Sequence, residues 1–325
     1  MRKIIPLYLV LFFSTNLLAQ NTAIKTIVQK GHEAVVKSAV YSPDGSYLFT
    51  ASRDQTVKMW EVATKREIKS FAGHTSTVND LAISGDGKSL ATSSADKTAA
   101  VWDIITGALI FQTPQDAGYM TTVDISTNGK MLVTGGYDAK VKIWDIESRA
   151  LLAEIPVNPD KGLGLGVNLV LSPNDRQLAI GEDNRLLKIY DVGTWDTLYT
   201  VPATEGWCGG CATFAAYDVS AKLLVKAVNN GAVTLHNAAD GKLLKELSAE
   251  EEDVRSVQFD TSGKRVLLAT EKSIIQWSVK TGEELLRFDP SVKAVNDAVY
   301  APGGKEITVS GNDDQASNWS ATDGD

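Results

Sequence analysis

Short runs in which apolar and polar residues alternate recur along nearly the whole chain, each bounded by turn-forming residues. One such strand leads into Ser42-Pro43-Asp44-Gly45, and the same kind of turn returns at Ser84-Gly85-Asp86-Gly87, Ser126-Thr127-Asn128-Gly129 and Asp260-Thr261-Ser262-Gly263. Asp or Asn supplies local hydrogen bonds in such turns, and Gly accepts a positive φ. A second strand over Tyr47 to Ser52 follows, a third ends at Trp60, and an outer one covers Glu67 to Phe71. All are short and closed off by turn signals, as strands of an all-β domain are.

The pattern is periodic. Trp60, Trp102, Trp144, Tyr190, His236, Trp277 and Trp319 align at spacings of 42, 42, 46, 46, 41 and 42, and a period of about 40 to 45 residues is that of a four-stranded propeller blade. The expected fold is all-β, a seven-bladed β-propeller of four-stranded antiparallel blades. Gly31-His32 and Gly73-His74 open units that close with Trp60-Glu61 and Trp102-Asp103, and Trp144-Asp145 closes a third. These residues resemble the WD-repeat family of β-propellers over residues 22 to 325. The seventh unit ends without an outer strand of its own, while Ile24-Lys25-Thr26-Ile27 resembles the outer strand Ile68-Lys69-Ser70-Phe71. An N-terminal strand that completes the last blade is therefore expected, since such closure protects open sheet edges.

The first residues read differently. Arg2-Lys3 precede an uncharged run from Ile4 to Phe13, and Leu17-Leu18-Ala19 stand before Gln20. That layout is a secretory signal peptide over residues 1–19, too short an apolar run for a membrane span. It leaves residues 20–325 as one propeller domain, exported to a periplasm or secreted. The net charge is −8, and losing Arg2 and Lys3 makes it more negative. Nucleic acid is then a poor partner, because binding it is driven by cations that neutralise phosphates, whereas a basic protein or a glycan fits the charge.

His32, Ser52 and Asp54 hold the ingredients of a nucleophilic hydrolase. The same set recurs in register as His74, Ser94 and Asp96, ahead of Trp60 and Trp102 respectively, and catalytic sites are rarely duplicated that way. The family resemblance implies instead two structural tetrads in which the indole N–H, a Ser hydroxyl, His and Asp form one buried hydrogen-bonded chain. Later units depart from the pattern: Asp116 stands at the third unit's His position with Gly136 in place of its Ser, and His236 takes the place of an indole. No catalytic residues and no metal ligands are assigned, and no cofactor is expected.

Binding residues are sought on loops carried by a rigid scaffold. The two longer units gain their extra residues in the connections from an outer strand to the next inner strand, which in WD-repeat relatives lie on the top face. Those connections carry Asp160, Lys161, Glu205, Trp207, Cys208 and Cys211. The cysteine pair is read as a short disulfide, as export favours oxidation. Gly162, Gly164 and Gly166 precede a strand and not a helix, so they are read as a loop and not a phosphate cradle. Entrances to the inner strands fall at Val35, Thr77, Tyr119, Leu165, Cys211, Asp253 and Ala294, with Arg53 and Tyr137 on the same face. The acidic run ending at Asp253 would favour a basic partner. Trp195, in a turn on the opposite face, is a second-choice site.

The reading is a non-enzymatic scaffold, a single ring within a complex, that presents Trp207, Asp160, Lys161, Glu205, Tyr119, Tyr137, Arg53 and Asp253 to a protein or peptide. A glycan or cell-wall binder using Trp207 and Trp195 is the alternative, and a propeller hydrolase or lyase working in the central channel is a third.

Overall fold

A computed structural model of the protein describes residues 25–157, 167–182, 185–203, 212–248, 253–312 and 315–321. Seven four-stranded antiparallel sheets make up these residues, with no helix among them. The first blade runs Val36–Tyr41, Tyr47–Ser52, Thr56–Glu61 and Glu67–Ala72, each strand paired to the next. Five further blades repeat this order, with inner strands beginning at Val78, Met120, Asn168, Thr213 and Val254. The remaining sheet places Lys25–Lys30 against Gln315–Ser320, followed by Glu306–Gly311 and Val295–Tyr300.

Burial changes from strand to strand within a blade. In Tyr47–Ser52 every residue after the first is buried, whereas Glu67–Ala72 buries only Phe71. A strand covered on both faces reads as a near-continuous apolar run, and an outer strand does not. The cores lie between sheets: Phe49, Met59 and Phe71 of the first blade pack with Val78, Leu81, Leu90 and Trp102 of the second. No blade buries its own apolar faces alone, so each depends on its neighbours.

The tight turns take the predicted form. Gly45, Gly87, Gly129 and Gly263 have φ of 73°, 71°, 69° and 67°, and Asp175 and Ala221 reach 56° and 55° at the equivalent places in the fourth and fifth blades. Ser42 Oγ donates to Asp44 at 2.6 Å and the Gly45 N–H bonds the Ser42 carbonyl at 2.8 Å. The Gly-His openings have a steric cause: a Cβ on Gly31 or Gly73 would lie 2.5 or 2.8 Å from the indole of Trp60 or Trp102. The long connections fall where expected, between outer strand Leu151–Pro156 and inner strand Asn168–Leu171, and between Thr197–Val201 and Thr213–Tyr217.

Candidate functional site

In the first blade the Trp60 Nε1–H donates to Thr50 Oγ1 at 2.8 Å, and Thr50 Oγ1 lies 2.8 Å from His32 Nε2. His32 Nδ1 is 2.7 Å from Asp54 Oδ2. One consistent proton order satisfies all three contacts: the Thr50 hydroxyl donates to Nε2, and Nδ1–H donates to the carboxylate. Burial lowers the His32 pKa despite the Asp54 hydrogen bond and charge, which keeps the imidazole neutral as this order requires. Asp54 is pushed up by burial, but hydrogen bonds from Thr56 and His32 outweigh that and hold it below the usual carboxylate range. The second blade repeats the chain, with Trp102 to Thr92 at 3.0 Å, His74 to Thr92 at 2.8 Å and His74 to Asp96 at 2.8 Å.

The hydroxyl in these chains corrects the sequence reading. Ser52 and Ser94 were expected to supply it, yet Thr50 and Thr92 do. Ser52 Oγ donates to the Ala34 carbonyl and accepts the Asp54 N–H, both at 3.1 Å, and Ser94 makes the corresponding bonds to Ser76 and Asp96. Residues two apart on a strand share a face, so the register against the indole, and not residue type, decides which hydroxyl it meets. Trp60 stands opposite Leu48, and Trp102 opposite Leu90.

Other blades fill the same space with charge. In the third, Lys142 Nζ sits against Asp116 and lies 3.0 Å from Asp138, while Trp144 still bonds Thr134 at 3.2 Å. In the fourth, Lys188 pairs with buried Glu182 at 2.7 Å. In the fifth, His236 lies buried at the indole position, Nδ1–H toward the Gly241 carbonyl at 3.0 Å and Nε2 accepting from Thr234 at 2.8 Å. Lys226, at 0% exposure, occupies the register of Thr50 and donates to the Pro202 carbonyl at 2.6 Å. All three histidines thus have both ring nitrogens engaged in the framework, which leaves none of them a free base or ligand.

Around the central channel the inner strands are joined by carboxylates that sequence reasoning missed. Asp80 Oδ2 accepts the Val123 N–H at 3.2 Å, Asp124 accepts the Leu171 N–H at 2.7 Å, and Asp297 accepts the Ala39 N–H at 3.2 Å. Asn79 and Asn296 reach the same neighbours, donating to the Met120 and Val36 carbonyls at 2.6 and 2.7 Å. Val78-Asn79-Asp80 and Val295-Asn296-Asp297 are identical triplets at the inner-strand start, the one signal that could have exposed these links. Burial, with the Asp297 charge adding to it, pushes Asp80 up to about 6. Burial likewise pushes Asp124 up to about 7, and Asp297 is raised by burial too. Ser38 Oγ is 3.2 Å from Asp80 and 3.1 Å from Asp297. The single Ser38 hydroxyl thus sits between the two carboxylates and links the first, second and seventh blades.

Above these groups the predicted ring appears as one backbone register. The N–H groups of Arg53, Ala95, Tyr137, Glu271 and Asn312 bond the carbonyls of Val35, Thr77, Tyr119, Asp253 and Ala294. A cavity of about 700 Å³ opens there, with Arg53, Tyr119, Tyr137, Lys37 and Lys293 in its lining. Tyr119 and Tyr137 are 53% and 37% exposed and meet edge to face, with centroids 6.3 Å apart. Asp253 is exposed at the same level with φ of 64°. Trp207, Asp160, Lys161, Glu205, Cys208, Cys211, Leu165 and the run Glu250 to Glu252 lie outside the described residues, as do residues 1–19. Trp195 is half-buried against the core between the third and fourth blades, so it is no free platform.

The WD domain, G-beta repeat family matches residues 23–61, 65–103 and 109–145, and with the seven-bladed ring this shows that the chain carries WD40 repeats. Among curated proteins, a ribosome biogenesis protein BOP1 homolog of Aedes aegypti is 45% identical over 47 residues, 14% of this chain and 5% of that protein. The homolog in Drosophila persimilis is 43% identical over 47 residues, 14% of this chain and 6% of that one. The matched stretch is therefore only about a twentieth of the length of these relatives. Their naming for ribosome biogenesis runs against the expectation of an exported, periplasmic or secreted protein, and that expectation is corrected on this finding. A short apolar run behind two cations is a local composition and does not by itself set a compartment. The disulfide inference loses its ground with export, because its argument was the oxidising compartment, and both cysteines lie outside the described residues. Among the described residues no helix is long and apolar enough to cross a membrane.

Proposed function

We propose that this propeller is a non-enzymatic interaction scaffold that holds a protein or peptide partner on its top face. A single observation carries the reading: exposed Tyr119, Tyr137 and Arg53 line one open cavity on a hydrogen-bonded ring. Aromatic and Arg side chains on a rigid frame are what protein interfaces use as anchors. The enzyme alternative is disfavoured because the histidines and the Asp partners of His32 and His74 are spent in structural bonds. Residues 20–325 act in this reading as one unit, a single ring within a larger complex.

The glycan alternative has less support, since Trp195 is packed into a core. A basic partner, favoured by the acidic run, does not suit a cavity lined by Arg53, Lys37 and Lys293. Proteins of the intracellular fraction are the first to assay, in keeping with the names of the relatives. Affinity capture with the wild type and with a Tyr119→Ser, Tyr137→Ser double variant of equal melting temperature tests the reading. Loss of a specific partner from the variant alone is expected; a partner held equally by both would move the interface to another face.

A further inference from the structure

The chain is acidic overall, with a net charge of −8, yet the charged side chains among the described residues that line the cavity at its channel mouth are all cations. Lys37, Arg53 and Lys293 line the 700 Å³ cavity, and none of its described lining residues is a carboxylate. Among the described residues no ion pair involves any of these three cations, whereas many other cations, such as Lys58, Lys142 and Lys188, are paired. Arg255 adds a fourth charge where Lys37 passes into the deeper channel, and its own contact is with half-buried Glu271 at 3.1 Å. Burial lowers the Lys37 pKa, and the charges of Arg255 and Arg53 lower it further. Lys37, Arg53 and Lys293 therefore face one another without an ion-pair partner among the described residues, while Arg255 is paired with Glu271. Below them Asp80, Asp124 and Asp297 line the deeper channel with Lys37 and Arg255; they form no ion pair with these cations among the described residues and accept backbone N–H groups of neighbouring blades.

The arrangement around the mouth is graded. Lys37 and Arg53 belong to the first blade, Arg255 to the sixth and Lys293 to the approach to the seventh, while Thr77 and Asn79 of the second blade are neutral and Tyr119 and Tyr137 sit on the third. A cationic arc thus adjoins an aromatic ledge across a polar gap. Charges distributed over three blades match a series of anionic side chains and not one point anion. Arg in particular favours planar carboxylates, which its fork can bind through two hydrogen bonds.

We propose that the top mouth is a receptor for an acidic peptide segment of a partner protein, its Glu or Asp side chains set against Lys37, Arg53 and Lys293 and an adjoining apolar side chain against the Tyr119–Tyr137 pair. This inference rests on the top-face reading above and gives its partner a chemistry. Complementary charge at such a rim acts chiefly on specificity and association rate, and the attraction weakens as salt shortens the screening length.

The test is fluorescence anisotropy of the full chain with three labelled peptides: one alternating Glu and Leu, its Gln counterpart and its Lys counterpart. A labelled single-stranded oligouridine is a fourth probe. The Glu peptide is expected to bind about tenfold more tightly than the Gln peptide, with the Lys peptide weakest, and to weaken several-fold between low and high salt. An Arg53→Gln, Lys293→Gln variant changes two exposed residues and should lose about tenfold for the Glu peptide while leaving the Gln peptide unaffected. Equal binding of the Glu and Gln peptides, no binding of the Glu peptide, or full affinity in the variant overturns the inference. So does tighter binding of oligouridine than of the Glu peptide, which would make the mouth a nucleic-acid site. The two readings fail separately: capture lost through Tyr119 and Tyr137 with no Glu preference leaves the scaffold standing without this chemistry. Charge-dependent peptide binding with unaffected capture does the reverse.

Discussion

The first two blades and the third and fifth solve one packing problem in different ways. Between inner strand and indole, blades one and two place a hydrogen-bonded chain of Trp, Thr and His that ends on a carboxylate. The third blade keeps the Trp144–Thr134 bond but replaces the imidazole link by Lys142 between two carboxylates. The fifth goes further and puts Lys226 where the hydroxyl would be, with His236 in place of the indole. Blade geometry survives all three versions because it is set by strand pairing and by apolar packing between neighbouring sheets. The polar network beneath the rim is thus a variable filling whose chemistry differs from blade to blade.

The sharpest way to break the equivalence is Lys142→Met. It leaves Asp116 and Asp138 facing each other without their cation and should cost about 3–5 kcal/mol, the range for removing one partner of a buried ion pair. Urea denaturation reads the loss, and adding Asp116→Asn and Asp138→Asn should restore most of it; an unmoved midpoint would show the trio to be idle. In the fifth blade the sign reverses. Burial, with the charge of Arg185 adding to it, lowers the Lys226 pKa to about 8 from 10.5, so the folded state disfavours the ammonium. Lys226→Met should stabilise by about 2 kcal/mol at neutral pH. The wild type should itself gain stability as pH rises from about 8 to 10.5, since the unfolded chain binds more protons there. A destabilised Lys226→Met would mean that the bond to Pro202 outweighs desolvation.

Within the first blade, Thr50→Val and Ser52→Ala separate the two hydroxyls. Loss of Thr50 strands an indole N–H and a ring nitrogen and should cost about 2 kcal/mol, against about 1 kcal/mol for Ser52. Equal losses in thermal melts would return Ser52 to the network. A pH-dependent contrast concerns the channel acids that link blades two, three, four, seven and one. Asp80 and Asp124 titrate at about 6 and about 7 in the fold against 3.8 unperturbed, so the folded state binds the extra protons. Their contribution is full below the unfolded pKa and lost as pH rises through the folded values. Stability should therefore increase as the pH falls from 7 to 5. Asp54 and Asp96, held low by Thr56 and His32 and by Thr98 and Thr75 against the effect of burial, act oppositely and take over at lower pH. An Asp80→Asn, Asp124→Asn variant should flatten the upper part of that profile; an unchanged slope would assign it elsewhere.

Much of this was legible in the chain, but unevenly. The turns at Gly45, Gly87, Gly129 and Gly263 and the indole positions at Trp60, Trp102 and Trp144 are local or near-neighbour features, written by residues within one blade. The level of the rim, from Val35 and Arg53 to Ala294 and Asn312, also followed from counting, since each strand keeps register with its turn. The hydroxyl was misassigned because Thr50 and Ser52 are alike in chemistry and share a strand face. Lys226 was invisible, since a lysine in a strand reads as a solvated edge until both faces are covered.

Repetition at a fixed period determined the number of blades, their strand order and the places of their turns, because each blade's strands and turns are specified within one short stretch of chain. The sign of the mouth was decided only by the ring. Composition and the acidic run before Asp253 pointed to a basic partner, while closing the circle brings Lys37, Arg53, Arg255 and Lys293 from distant positions to one side of the channel. Coulomb energy depends on distance through space, and distances across a channel are set by the packing of every blade on the next.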